Sequence, residues 1–177
     1  MGDDNYETVI TENNIYFQKN KHTPSEYRIV SSHPLLKGNT DIIEIVKNNQ
    51  LFELIARLNS DFILEYSNKN GVIKYVFSSD IMREFGDKFA LKFIHNVNVT
   101  SDNDCIITGA SVNYSNKKYS NIFHLNSLQI IFNISNNTFN VVILYNIDNN
   151  NFNNKEITLI SNFLIKVVNN LNLYVCK

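Results

Sequence analysis

Residues 104–148 read DCIITGASVNYSNKKYSNIFHLNSLQIIFNISNNTFNVVILYNID, and their alternation decides the fold class. At the start, Ile106, Thr108, Ala110, Val112 and Tyr114 share one parity, with Cys105, Ile107, Gly109, Ser111 and Asn113 on the other. At the end, Phe139, Val141, Ile143, Tyr145 and Ile147 form a single apolar row. A period of two in β-branched and aromatic residues, bounded by Asn- and Ser-rich turns, marks paired strands. Between these rows, residues 122–135 switch parity at Asn126 and Ser127. That reads as a bulge or as two elements, with a short helix as the alternative.

Outward from this core the pattern continues in both directions. Residues 9–19 and 27–32 read as strands with a turn at Thr23 and Pro24 between them. Residues 40–58 carry Ile42, Ile45, Val46, Leu51, Phe52, Ile55 and Leu58 at helical spacing, with Asp41 and Glu44 in the positive first turn. Residues 61–67 and 72–78 flank the turn from Asn68 to Gly71, a hairpin signal. Ser79 caps an expected second helix through Met82, Phe85, Phe89 and Phe93, followed by a polar connector at 96–103. A third helix follows the Asn-rich link, with Ile157, Ile160, Leu164, Val167 and Leu171 on one face, and residues 173–175 read as a last edge strand. The expected fold is a single α+β domain over residues 9–177 behind a flexible tail at 1–8. Its antiparallel sheet has about six to eight strands, with three helices on one face.

A chain of 177 residues with a 44% apolar fraction is long enough for one buried core and short for two. Net charge is −1, so no global basic field draws the protein to nucleic acid or anionic lipid. Asn supplies 31 of the 177 residues, a bias that points to an AT-rich genome, that of a protist, a large DNA virus or a low-GC bacterium. With only Cys105 and Cys176, a disulfide framework is not expected and a reducing compartment is. The acidic start MGDDNYETV is not a signal peptide, and no apolar run reaches membrane-spanning length. A cytoplasmic protein with no membrane partner is the expectation.

The chemistry-bearing residues are scattered. His22, His33, His95 and His124 lack the spacing of a metal motif, and the carboxylates form no cluster, so no metal or cofactor is expected. Cys105 and His124 can be drawn as nucleophile and base, but a thiol inside an apolar strand is usually inert packing. Lys117, Lys118 and Tyr119, with Tyr114 nearby, stand at the tip of a strand–strand loop. Two ammonium groups beside aromatic rings can hold phosphate and stack a base; the plain alternative is a solvated hairpin tip.

In their order, IYFQKN with YRIVSS, the helix near 40–58, GVIKYVF, DKFALKFI and DCIITGASVNYSNKK resemble the cap-binding subunit of the eukaryotic translation initiation factor four-E family. The resemblance implies a curved antiparallel sheet that grips an mRNA cap on its concave side. It implies Lys117 and Lys118 as phosphate ligands. That family stacks the base between tryptophans; this chain has none, so Tyr16, Phe17, Tyr27 or Tyr75 would take that part.

No nucleophile, base and orienting group assemble, so the expected function is a non-catalytic binding module. Its partner is an mRNA cap, an RNA end or a nucleotide held by the aromatic and basic loop. The competing reading is an interaction or assembly subunit that docks another protein, or a second copy, through a sheet edge or helix face.

Overall fold

The computed structural model describes residues 5–36, 41–78, 88–112, 121–147 and 154–176. Along them run β1 (Tyr6–Glu12), β2 (Ile15–Asn20), β3 (Glu26–Pro34), α1 (Ile42–Lys47), α2 (Leu51–Leu58), β4 (Ile63–Lys69) and β5 (Val72–Ser78). Then come β6 (Lys88–Ser101), β7 (Asp104–Ser111), β8 (Asn121–Phe123), β9 (Leu125–Ser135), β10 (Thr138–Ile147) and α3 (Asn154–Val175).

Three hairpins turn on two-residue links whose residues both have positive φ. They are Asn13 and Asn14 (48° and 60°), Asn70 and Gly71 (53° and 75°), and Asn136 and Asn137 (51° and 56°). Positive φ at both central positions gives the turn whose twist matches a right-handed strand pair, and Asn and Gly reach it most readily. One sheet results, in the order β1-β2-β3-β10-β9-β7-β6-β5-β4, every neighbouring pair antiparallel. β8 lies off this path and runs parallel to β6, Asn121 to Phe123 facing Phe89 to Leu91.

The register sets two long rows on the inner face. One crosses the sheet as Ile15, Ser31, Val141, Phe132, Cys105 and Val99. The next runs Phe17, Ile29, Ile143, Ile130, Ile107 and Val97. All three helices cover this face and share one buried cluster with it. α3 has 22 residues, about 33 Å at 1.5 Å per residue, enough to cross several strands. Its far end presses Val168, Leu171 and Val175 into the core and sets Asn172 on Ser31, Nδ2 to Oγ 3.3 Å.

The outer face carries a polar ladder. Ser32 Oγ donates to Asn140 Oδ1 (2.8 Å), Asn140 Nδ2 to Asn133 Oδ1 (3.3 Å) and Asn133 Nδ2 to Asp104 Oδ1 (2.5 Å). Together they stitch β3, β10, β9 and β7. Asn133 and Ser101 hold the Asp104 carboxyl below its ordinary pKa.

Several expectations need correction. The sheet has ten strands among the described residues, above the expected six to eight, partly because the turn at Asn13 and Asn14 splits residues 9–19 into β1 and the start of β2. β1 starts at Tyr6, inside the stretch read as a tail. The single helix at 40–58 is two. Asp41 Oδ1 caps α1 by accepting from Glu44 N (3.0 Å). α1 ends where Asn49 takes φ 57°, with Asn49 N donating to the Val46 carbonyl and Gln50 N to the Ile45 carbonyl. This pair of bonds is the Schellman stop.

The second helix fails where it can be checked. Residues 79–87 lie outside the described residues, and from Lys88 onward the chain is strand β6, which also absorbs most of the supposed connector at 96–103. Phe85, Phe89 and Phe93 are four apart, and a spacing of four satisfies period two as well as 3.6. In β7 the buried parity is Cys105 and Ile107, not Ile106. The switch in residues 122–135 resolves into two strands broken at His124. Residues 173–175 are the last turn of α3, not an edge strand.

Candidate functional site

Between α2, α3 and the inner face a cavity of about 110 Å³ remains open. β10 contributes Ile143 and Tyr145 to its floor, and β9 contributes Leu125, Leu128 and Ile130. β4, β5 and β6 supply Ile63, then Tyr75 and Phe77, then Leu91 and Phe93. Phe52 and Ile55 of α2 and Ile160, Phe163, Leu164 and Val167 of α3 close the roof.

These positions follow from the alternation that buries one side of each strand and from the stripe at three- and four-residue spacing on α3. Rings pack along the wall. Phe163 meets Phe77 and Phe62 edge-on, each at 4.9 Å between centroids, and Phe52 meets Phe93 at 5.2 Å. Ile55, Leu91, Leu128, Phe163 and Leu164 keep partial exposure and mark the mouth. On α3, two residues beyond Leu164, the exposed Lys166 pairs with Asp61 and lies over the Phe62 ring at 4.7 Å.

Two hydroxyls belong to lining residues, and both are turned into the protein. Tyr75 Oη donates to the Phe52 carbonyl (2.7 Å). The Tyr145 hydroxyl bonds to Ser161, whose own Oγ donates to the Ile157 carbonyl (2.6 Å). Burial raises the pKa of both tyrosines well above the ordinary phenol value, so both stay neutral. Among the described residues no polar atom faces the cavity. Such a wall binds by area and shape, and it offers nothing to move a proton at neutral pH.

The sequence-derived candidates are not gathered at one place. Lys117, Lys118, Tyr119 and Tyr114 lie outside the described residues. Tyr27 is 1% exposed, stacked between Phe17 and Tyr145 at 5.6 and 5.5 Å. Tyr75 is a cavity wall residue, while Tyr16, 40% exposed, points to the opposite face of the sheet. Cys105 is fully buried and its thiol is pushed up to about 11 by that burial; both cysteines are free. Among the described residues no group of three or more His, Cys, Asp or Glu is placed to hold a metal ion. No helix among them is long and apolar enough to cross a membrane, which says nothing of strands. The cavity itself escaped sequence reading, although Ile160, Leu164, Val167, Ile143 and Tyr145 were all visible as apolar faces. Periodicity tells which side is buried and is silent on whether it is filled.

A long last helix laid against an antiparallel sheet around an apolar cavity is the helix-grip arrangement. Solved structures with this arrangement resemble the chain over nearly its whole length. Human StAR-related lipid transfer protein 5 matches with TM-score 0.61 at 9% identity, covering 98% of this chain and 86% of that one. Human STARD10 matches with TM-score 0.65 at 9% identity, covering 97% and 75%. The human StarD13 (DLC2) lipid transfer and protein localization domain matches with TM-score 0.62 at 7% identity, covering 96% and 88%. At such identities the likeness is one of fold. No protein-family model and no curated protein matches the sequence.

This overturns the resemblance to the cap-binding family and, with it, the expectation of RNA and cap binding. The order of elements it rested on does not hold, since β6 stands where that family's second helix would begin. α3 covers the inner face, where a cap-binding protein keeps an open concave surface.

Proposed function

We propose that the protein is a non-catalytic carrier that takes an apolar small molecule of the lipid class into the cavity beneath α3. The observation that carries this reading is a cavity walled by Phe, Tyr, Leu, Ile and Val between two helices and the sheet. Protein cores hold few voids larger than a water molecule, and leaving one costs stability, so an apolar hollow at a helix–sheet junction is best accounted for by an occupant. Two of the similar folds are lipid transfer proteins by name, which supports the same class of ligand.

At about 110 Å³ the cavity suits a ring or a short run of methylenes, since a dry cavity of roughly 150 Å³ holds benzene. A whole lipid needs α3 to move away from the sheet. The test is retention of lipid after incubation with mixed vesicles and repurification, read by mass spectrometry. Wild type retains lipid, and Leu164→Trp, which fills the cavity from α3, lowers the retained amount at least tenfold. Retention of no lipid by wild type, or equal retention by the filled variant, sinks the reading.

A second reading, docking of another protein, has one observation on its side. On the outer face Tyr16, Val30, Val142, Ile131 and Ile106 line up across five strands. All five keep some exposure, which makes a continuous apolar row on a surface that none of the described helices covers.

A further inference from the structure

Resting on the carrier reading, we infer that the ligand enters tail-first, with bare hydrocarbon inside and its polar group left at the mouth. The argument starts from the wall. Fourteen of the sixteen lining side chains among the described residues are Phe, Ile, Leu or Val, and the other two are Tyr75 and Tyr145. A tyrosine in a cavity wall normally offers a polar anchor. Here each hydroxyl is withdrawn: Tyr75 donates into the α2 backbone at Phe52. The Tyr145 hydroxyl is turned to Ser161 on α3, whose Oγ donates to the Ile157 carbonyl.

The described wall therefore presents neither a donor nor an acceptor to a guest. A hydroxyl or carboxylate carried inward would lose its water and gain no partner, a penalty that hydrocarbon does not meet. The mouth differs. Leu164 and Ile55 are partly exposed, so the wall meets water there, and two residues beyond Leu164 on α3 stands the exposed Lys166 with its partner Asp61. A polar group halted at that point stays hydrated. Headgroup identity consequently has little grip on affinity, while polarity at the far end of the chain has a large one.

The experiment uses the intact wild-type protein and three ligands of one chain length: decanoate, 1-decanol and 10-hydroxydecanoate. Binding is followed by titration below the critical micelle concentration. Methyl NMR shifts of Ile143 and Leu164 report occupancy of the cavity. Decanoate and decanol are expected to bind within about threefold of each other, because they differ only at the end left outside. 10-Hydroxydecanoate, which differs from decanoate only at the tail, should bind at least tenfold more weakly, about 1.4 kcal/mol. Equal binding of decanoate and 10-hydroxydecanoate overturns the orientation, as does a tenfold preference between decanoate and decanol. Toluene separates the two levels of the argument. If toluene shifts the Ile143 and Leu164 methyls while the tail hydroxyl makes no difference, the cavity is a binding site and tail-first entry is wrong. If neither toluene nor decanol moves them, the carrier reading itself has failed.

Discussion

Gly109 is the residue on which the closeness of β6 and β7 depends. A Cβ built on it would lie 2.7 Å from the Ile94 carbonyl oxygen, a backbone atom that cannot rotate away. Gly109→Ala should therefore cost about 1–3 kcal/mol, the range for forcing an extra methyl into a packed site, seen as a lower denaturation midpoint. Directly across the pair stands His95. Its ring is 4.7 Å from Phe52, and its Nδ1 is buried without a hydrogen-bond partner among the described residues. Burial holds its pKa below the ordinary 6.5. The unfolded chain takes up this proton at about pH 6.5 and the fold only at lower pH, so between the two the unfolded state binds more protons. Stability from this group is full above pH 6.5 and declines as pH falls through that window. His95→Phe should lose less midpoint between pH 7.5 and 5 than wild type does. His33, lowered by the same cause, supplies part of the remaining slope. An unchanged slope in the variant would remove His95 from the account.

Among the elements, the hairpins show what the Asn richness does. Every non-Gly residue with positive φ among the described residues is Asn: 13, 14, 49, 70, 136 and 137. A compositional bias has been placed where the backbone needs a left-handed residue, at three strand turns and one helix stop. At Asn136, φ 51°, a β-branched side chain meets the left-handed penalty of about 1–2 kcal/mol or more. Asn136→Val should lower the denaturation midpoint by that order, while Asn137→Gly leaves it level or raises it. If Asn136→Val is neutral, the turn tolerates another geometry and the β9–β10 register is looser than the ladder suggests. The sequence signalled the turn at Asn70 and Gly71 because Gly is an unambiguous marker. An Asn-Asn pair in a chain this rich in Asn carried no contrast, and the link at Asn13 and Asn14 was read through as strand.

Across the whole molecule, the α+β class, the antiparallel sheet, the row from Phe139 to Ile147 and the amphipathic α3 were legible, because each rests on a periodicity that local sequence displays. The sheet order was not. It depends on β3 pairing with β10 and β7 with β9, which are choices between distant strands of similar pattern. The cavity was illegible for a related reason: its walls come from seven elements, and its emptiness is a property of their spacing. The resemblance to a cap-binding sheet arose at this scale, where short strands and helices in sequence permit more than one way of closing.

That central pairing has a consequence for how the protein is made. Residues 26–34 pair on one side with residues 138–146, so β3 has an open edge until β10 exists. At about 5–20 residues per second, the roughly one hundred intervening residues take on the order of 5–20 s to leave the ribosome. During that interval the nascent chain carries Tyr27 and Ile29, side chains that end in the finished interior, on a strand with no neighbour on one side. A slower ribosome lengthens that exposure and a faster one shortens it.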